Sequence, residues 1–449
     1  MDQVIELCEK GEYTQALTLI EGFERQGKIS SDLYRIKGHA QMMMGEYDDA
    51  IDNLIEALKL DPRNESALIL VGNIYAIQKQ DVTTAMTYFK KVLDLNSTNY
   101  IGLSNIAGII AKQGKIEEAK DYFFKALEVR SDHAPALYGL ALVEKDSGNL
   151  LDAFEYARQA TIAARVNKDQ KMVEASTNLA LSFARKYLTA KSGSQIYDSF
   201  LKDLETHCNR EIDVQIDPSL KVPAKIRIAE YHGLPKHQIL IREDSSSIAY
   251  YVLHELMHLF LISEARQVSE NELFTSSEST YRSFRRRVDK YTKTIVKNGI
   301  PNESLERFFK EIYNGLLLQV YNAPIDLFIE QRIFQTKEYR PIQLLGLMEM
   351  IQPAIQAATD KKLSKIVPSF VRDANIILTC TQLIQIRDLY GIDLLDSIKD
   401  AHLINRAKTI YKDFEDMQQD KSPAEEYDLI RWWSEELELD KFFNLEKEF

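Results

Sequence analysis

Through the first third of the chain, apolar residues recur three and four apart, in short runs separated by polar turns, which is the spacing of one helix face after another. Small residues mark a longer register. Ala16, Ala50, Ala85, Ala119 and Ala153 follow one another at intervals of 34, 35, 34 and 34. Each comes just after a turn of one kind: Gly11-Glu12-Tyr13, Gly45-Glu46-Tyr47, Lys79-Gln80-Asp81, Gly114-Lys115-Ile116 and Gly148-Asn149-Leu150. The pattern predicts five helix pairs over 1–161, with one residue inserted near Asp81. Two helices approach closely only where a small side chain sits at their crossing, so Gly38, Ala107 and Ala141 are expected opposite the recurrent alanines. Glycine in the turn admits a positive φ, and Pro62, after Asp61, cannot continue a helix. A further amphipathic helix over Lys168–Lys191 is placed to cap the stack or join it to the next part of the chain.

From Arg210 the period changes to two. Glu211–Asp217, Lys225–Ala229 and His237–Arg242 each alternate apolar and polar residues, as half-buried strands do, with Pro218, Pro223 and His232-Gly233-Leu234-Pro235 as punctuation. Asp244 to Ser247 offers N-cap oxygens, and an unbroken helix is expected over Ile248–Ile262. Further on, Asn322 can cap a helix whose first turn accommodates Pro324. Apolar helices over Leu344–Ala358 and Ala374–Tyr390 come next. Arg282, Arg285, Arg286, Arg287, Lys290 and Lys293 wrap most of a helix circumference, which suits a solvated connector able to pair with the acidic C-terminal stretch. Trp432 and Trp433 are expected to dock a last helix on the body.

At 449 residues the chain exceeds what one core ordinarily serves, so two or three folding units are expected. Lys+Arg 56 against Asp+Glu 68 gives a net charge of −12, which disfavours nucleic acid and anionic membrane as partners. Cys8, Cys208 and Cys380 lie far apart without a CxxC pair, which fits a reducing compartment rather than a disulfide framework. The first ten residues lack the basic flank and apolar core of a signal peptide. The longest apolar stretch, Ala374–Ile384, is too short and too interrupted to span a bilayer. Cytoplasm is the expected location.

The candidate chemistry lies on the helix after the strands. His254-Glu255-Leu256-Met257-His258 places two imidazoles four apart on one helix face, where they can share one metal ion. Glu255, beside the first imidazole, can reach a water at that metal, take its proton as it attacks a carbonyl, and pass the proton to a leaving amine. Zinc bound this way needs a third protein ligand. No His or Gly continues the pattern after His258, so a carboxylate is expected. Asp326 and Glu330, four apart on an otherwise greasy helix, are the leading candidates. Glu330 is favoured by its reach, with Asp326 orienting an imidazole or exchanging roles with it. Glu278, twenty residues past His258 but in polar surroundings, is the other. Tyr313, Tyr321 and His402 are available to stabilise an oxyanion, with nothing to select among them.

Two resemblances rest on these residues. The small-residue register and its turns resemble the tetratricopeptide repeat (TPR), which implies a superhelix with a concave groove for a protein or peptide partner. Three strands leading into an HExxH helix resemble the zincin metallopeptidases, and the absence of a third histidine is similar to the gluzincins, whose ligand glutamate and supporting aspartate stand four apart. Here the order of acid types is reversed. In that family a sheet edge holds extended substrate, and His237–Arg242 is the strand expected to supply it. The expected fold class is mainly α: a TPR superhelix over 1–165, a capping or linking helix over 166–195, an α+β zincin-like domain with a small mixed sheet over 196–420, and an acidic helical tail over 421–449. The resemblance implies a zinc-dependent peptide hydrolase with Zn2+ as cofactor and a substrate recruited by the repeats. The alternative is a TPR interaction scaffold whose peptidase-like domain is regulatory or catalytically silent.

Overall fold

The 34-residue register builds helix pairs. In the computed structural model, which describes residues 1–191, 193–244, 247–418 and 422–448, α1 (Asp2–Glu9) packs with α2 (Tyr13–Arg25), α3 (Ser31–Met44) with α4 (Tyr47–Leu60), and α5 (Glu65–Ile77) with α6 (Val82–Leu95). The pairs α7 (Tyr100–Lys112) with α8 (Ile116–Val129) and α9 (Ala134–Asp146) with α10 (Leu150–Val166) continue the stack. All five recurrent alanines are fully buried, as are Ala107 and Ala141. A Cβ on Gly38 would lie 2.7 Å from Leu54 Cγ and 2.9 Å from the Ala50 carbonyl oxygen, so only glycine permits that crossing. Gly72 has the same role against the Phe89 ring, at 2.5 Å. Glycines in four of the five turns have φ between 76° and 84°. In the third turn, which has no glycine, Gln80 takes φ 52° instead, and Asp81 caps α6 by accepting from Thr84 N at 3.0 Å.

The chain divides into two units, Met1–Ser176 and Thr177–Phe449. The boundary falls inside α11 (Gln170–Ala190), so the segment 166–195, expected as one capping or linking helix, is shared between the units. In the second unit α12 (Gly193–Cys208) leads to β1 (Ile212–Ile216), β2 (Ala224–Arg227), the single turn α13 (Ala229–His232) and β3 (His237–Ile241). The order in the sheet is β1-β3-β2, with β1 parallel and β2 antiparallel to β3. The strand expected at the edge is therefore the central one. Its alternation is the most regular of the three, burying His237, Ile239 and Ile241, and a strand that packs this well takes the doubly paired place. The open edges belong to β1 and β2.

Next comes α14 (Ile248–Gln267), which begins after Ser247 and runs beyond Ile262. Of the other expected cap residues, Ser245 and Ser246 lie outside the described residues. Then come β4 (Glu272–Thr275), α15 (Glu278–Val288), α16 (Thr292–Lys297) and α17 (Leu305–Gln335). The last of these runs 31 residues without a break, so Asn322 does not cap it and Pro324 is interior. Proline at 324 removes the hydrogen bond to the Val320 carbonyl. Buried residues on both sides, Leu316, Leu317 and Val320 before it and Ile325, Leu327 and Ile329 after it, keep the helix continuous nonetheless.

The remaining helices are α18 (Arg340–Thr359), α19 (Leu363–Ile366), α20 (Ser369–Tyr390), α21 (Ala401–Met417) and α22 (Glu425–Glu436), before β5 (Asn444–Lys447). The C-terminal stretch is built into the second unit rather than trailing from it. Trp433 is buried and donates to Ile410 O at 3.0 Å, whereas its neighbour Trp432 stays 49% exposed. β5 pairs antiparallel with β4, and Phe442 and Phe443 are buried. Nor is α15 solvated all round: Phe284 and Val288 are buried, while Arg287 pairs with Glu438 at 2.9 Å. Among the described residues no helix is long and apolar enough to cross a membrane.

This packing sets two expectations for stability. Gly72→Ala should lower unfolding free energy by about 1–3 kcal/mol through overpacking against Phe89. Gly108→Ala, on a helix with nothing near the new methyl, should raise it by about 0.5–1 kcal/mol; urea titration followed by circular dichroism reads both. The second concerns pH. Burial pushes the Glu426 carboxyl on α22 up to about 7. A carboxyl that binds its proton more tightly when folded adds stability below the ordinary carboxyl range and loses it as pH rises through about 7. Glu426→Gln should therefore stabilise the protein by about 1–3 kcal/mol near pH 8, with the gain vanishing near pH 4.

Candidate metal centre

His254 and His258 project from one face of α14, their ring centroids 5.0 Å apart. α17 packs against that face and brings Asp326 and Glu330 to it. The two acids meet different sides of the imidazoles. Asp326 Oδ1 lies 3.4 Å from His254 Nε2 and 3.8 Å from His258 Nε2. One donor atom from each of His254, His258 and Asp326 falls within 4.8 Å of the others. Glu330 stands behind His254: its Oε1 is 2.9 Å from His254 Nδ1 and accepts from the Tyr250 hydroxyl at 2.7 Å, and its Oε2 accepts from Gln343 Nε2 at 2.7 Å. Thus it is Asp326, rather than the longer Glu330 favoured for its reach, whose oxygen converges with both Nε2 atoms. Glu278 is exposed in the first turn of α15 and takes no part in the cluster.

Asp326 Oδ2 accepts from Gln382 Nε2 at 3.2 Å on α20. Its Oδ1 is buried without a hydrogen-bond partner. A buried carboxylate oxygen in that state carries an unmet desolvation cost. Two imidazoles and a carboxylate form a donor set that suits zinc, with Asp326 Oδ1 facing both Nε2 atoms. Glu255 lies on the same helix turn, and its Oε2 accepts from the Ile226 amide of β2 at 2.8 Å. Ladder bonds alternate along β2. Arg242 N donates to Pro223 O, so the amides of Ala224 and Ile226 face away from β3, toward α14.

The electrostatics of the cluster arise from burial and from these pairings. Burial works against a charged His254, yet the Asp326 and Glu330 carboxylates outweigh it and hold its pKa well above the ordinary range. Burial and the neighbouring His254 charge push His258 down to about 3. Burial raises the Glu255 carboxyl. Burial and then the Glu330 charge keep the Tyr250 hydroxyl protonated, as a donor.

Several contributors escape a reading of the sequence. Tyr250 sits one turn before His254 on the same face, and that spacing is an available signal. Gln343 and Gln382 carry none. Tyr390, from α20, donates to Gln343 Oε1 at 2.6 Å and so fixes which end of the amide meets Glu330. A Cβ on Gly346 of α18 would lie 2.0 Å from Tyr250 Cδ1, so that glycine makes room for the tyrosine ring. Of the three residues considered for an oxyanion, two are engaged or placed elsewhere, and Tyr321 lies near enough to Asp326 to feel its charge. Tyr313 donates to Phe442 O and meets Thr280 Oγ1, Tyr321 packs on Phe274, and His402 is exposed at the start of α21.

Comparison with known proteins bears on the first unit. A family model described as a tetratricopeptide repeat matches residues 31–64, and one described as the TT21 fifth ARM repeats domain matches residues 65–176. Photosystem I assembly protein Ycf3 of Rippkaea orientalis is 35% identical over 111 residues, covering 24% of this chain and 60% of that protein. Human Superkiller complex protein 3 is 28% identical over 131 residues, covering 27% of this chain and 8% of its own length. The chain therefore spans less than two thirds of either relative. Among solved structures, the type IV pilus biogenesis factor PilW is 20% identical with a TM-score of 0.34, over 41% of this chain and 89% of that one. A thermophilic TPR protein of Thermus thermophilus is 18% identical with a TM-score of 0.35, over 40% and 97%. The helix pair over residues 31–64 thus matches a tetratricopeptide repeat, and the other N-terminal pairs share its register.

Proposed function

We propose that the repeats are a protein-interaction scaffold and that the second unit is a zinc-dependent, zincin-like peptide hydrolase acting on a protein or peptide they recruit. The repeat assignment supports the scaffold. The hydrolase rests on one observation above the rest: the buried Oδ1 of Asp326 lies within ion-pair distance of the Nε2 atoms of both His254 and His258 and makes no hydrogen bond to either. Asp326 Oδ1 stands 3.4 and 3.8 Å from the two Nε2 atoms, and one donor atom from each of the three residues falls within 4.8 Å of the others.

In this reading His254, His258 and Asp326 hold the ion. Glu330 accepts from His254 Nδ1, which keeps Nε2 free to ligate and fixes the ring plane. Zinc so held supplies Lewis-acid polarisation of a scissile carbonyl and activation of water. Glu255 takes a proton from the attacking water and returns it to the leaving amine, and its burial favours both halves of that transfer. The open edge of β2 at Ala224 and Ile226 is the place for extended substrate to pair, displacing the Glu255 carboxylate from the Ile226 amide. The three cysteines form no disulfide, which suits a reducing compartment such as the cytoplasm.

One observation favours the second reading, a scaffold with a silent or regulatory metal unit. His254 and Asp326 are buried, and Glu255 is already engaged by a backbone amide. A metal-loaded protein that binds a partner stably and cleaves no peptide would favour it.

The purified protein should carry one zinc per chain by elemental analysis. His258→Ala and Asp326→Ala should each lose it, and stoichiometric zinc in Asp326→Ala would sink the site. Glu330→Gln should keep zinc with affinity lower by about 10–100-fold. Glu255→Gln should retain zinc while turnover of a quenched peptide library falls by about 100-fold or more. Gly346→Ala should cost about 1–3 kcal/mol in a urea titration by driving Tyr250 off Glu330.

A further inference from the structure

A cavity of about 610 Å³ lies in the second unit beside the cluster but outside it. Its walls are aromatic and aliphatic, with Tyr231, Phe274, Tyr321 and Tyr427 joined by Ile262 and Leu317. Leu318, 51% exposed, and Tyr231, 43% exposed, are among its lining residues, so large apolar surface is open to solvent where the cavity is entered. The volume falls within the range of about 300–1,000 Å³ usual for ligand pockets.

All four residues of β4 border the cavity. Side chains alternate between the two faces of a strand, so a cavity that meets four in a row runs along the strand's edge. The register agrees. Glu448 N donates to Asn271 O, which makes 273 and 275 the residues bonded to β5 and turns the N–H and C=O of Phe274 to the opposite side. Among the described residues no strand pairs on that side, where Tyr427 meets the Glu272 amide and the N–H and C=O of Phe274 are left to the cavity. β5 already shows what this strand accepts: an extended segment held by main-chain bonds, with Phe443 stacked on Phe274 at 4.5 Å.

The cavity offers no free charge. Glu272, the acid in its wall, is engaged by Arg431 and by Lys447. A neutral, bulky apolar occupant is what such walls match. The place is also close to the cluster along both helices. Ile262 is four residues past His258 on α14, and Tyr321 is five residues before Asp326 on α17, about 6 and about 7.5 Å of helix rise.

We infer that this cavity is a side-chain pocket for an extended peptide added to the free edge of β4, and that it takes an aromatic or leucine-like residue. This edge is distinct from the β2 edge given to substrate in the hydrolase reading above, and the pocket does not rest on that reading.

The test is fluorescence anisotropy on the full chain carrying Glu255→Gln, using labelled, N-acetylated hexapeptides that differ only in a central Phe, Leu or Asp. Phe and Leu peptides should bind, and the Asp peptide should bind about tenfold or more weakly. Leu318→Trp, at an exposed position, and Leu317→Trp, which fills the interior, should each weaken the Phe peptide about tenfold while zinc content stays the same. Affinity indifferent to the central residue and to both substitutions overturns the pocket, as does no binding of any peptide. Cavity-dependent binding together with no cleavage by the zinc-loaded native chain supports the pocket and overturns the hydrolase.

Discussion

Two carboxylates four residues apart on a helix that is otherwise apolar cannot be buried without partners, and the centre of the second unit is arranged around that requirement. Glu330 is satisfied completely, by His254, Tyr250 and Gln343. The helices that supply those partners are held close by it. Tyr250 reaches Glu330 only because Gly346 has no side chain in its way, and Gln343 presents its amide correctly only because Tyr390 holds the other end. Asp326 is the acid whose needs the protein leaves unfinished, with one oxygen on Gln382 and the other facing two imidazoles at 3.4 and 3.8 Å without a hydrogen bond. A fold that satisfies one buried acid this fully and its neighbour only halfway has the character of a site rather than of a core.

The two units depend on different kinds of contact. In the repeats each helix pair touches its neighbours in sequence, and stability is a sum of similar local terms. In the second unit the decisive contacts join distant parts of the chain: Tyr250 to Glu330, Gln343 to Tyr390, Arg266 to Glu448.

This difference explains how much can be read from the residues alone. The recurrent alanines, the glycine turns and the crossing at Gly38 are legible because each is a local demand of helix packing. The helix bearing His254 and His258 is legible because its spacing is its chemistry, and the acids of α17 because their apolar setting makes them anomalous. Relative placement is not legible. Three alternating segments fix three strands but not their order, so β3 reads as an edge when it is inserted between β1 and β2. Asn322 and Pro324 have the residue types of a helix start, and only the packing of Leu316, Leu317 and Val320 shows that the helix is already under way. Which acid meets Nε2 and which meets Nδ1 is set by how α14 and α17 cross, and neither helix encodes that by itself.

The pairing of β5 with β4 bears on the order in which the protein is made. Asn271 and Glu448, which share a hydrogen bond across this sheet, stand 177 residues apart in the chain. Phe442 and Phe443 are buried, and Tyr313 donates to the Phe442 carbonyl. During synthesis the repeats can collapse pair by pair as they leave the ribosome. In the second unit the edge of β4 that β5 covers stays open until the last strand has been made. The repeats are thus folded, and able to engage a partner, while the unit after them is still incomplete.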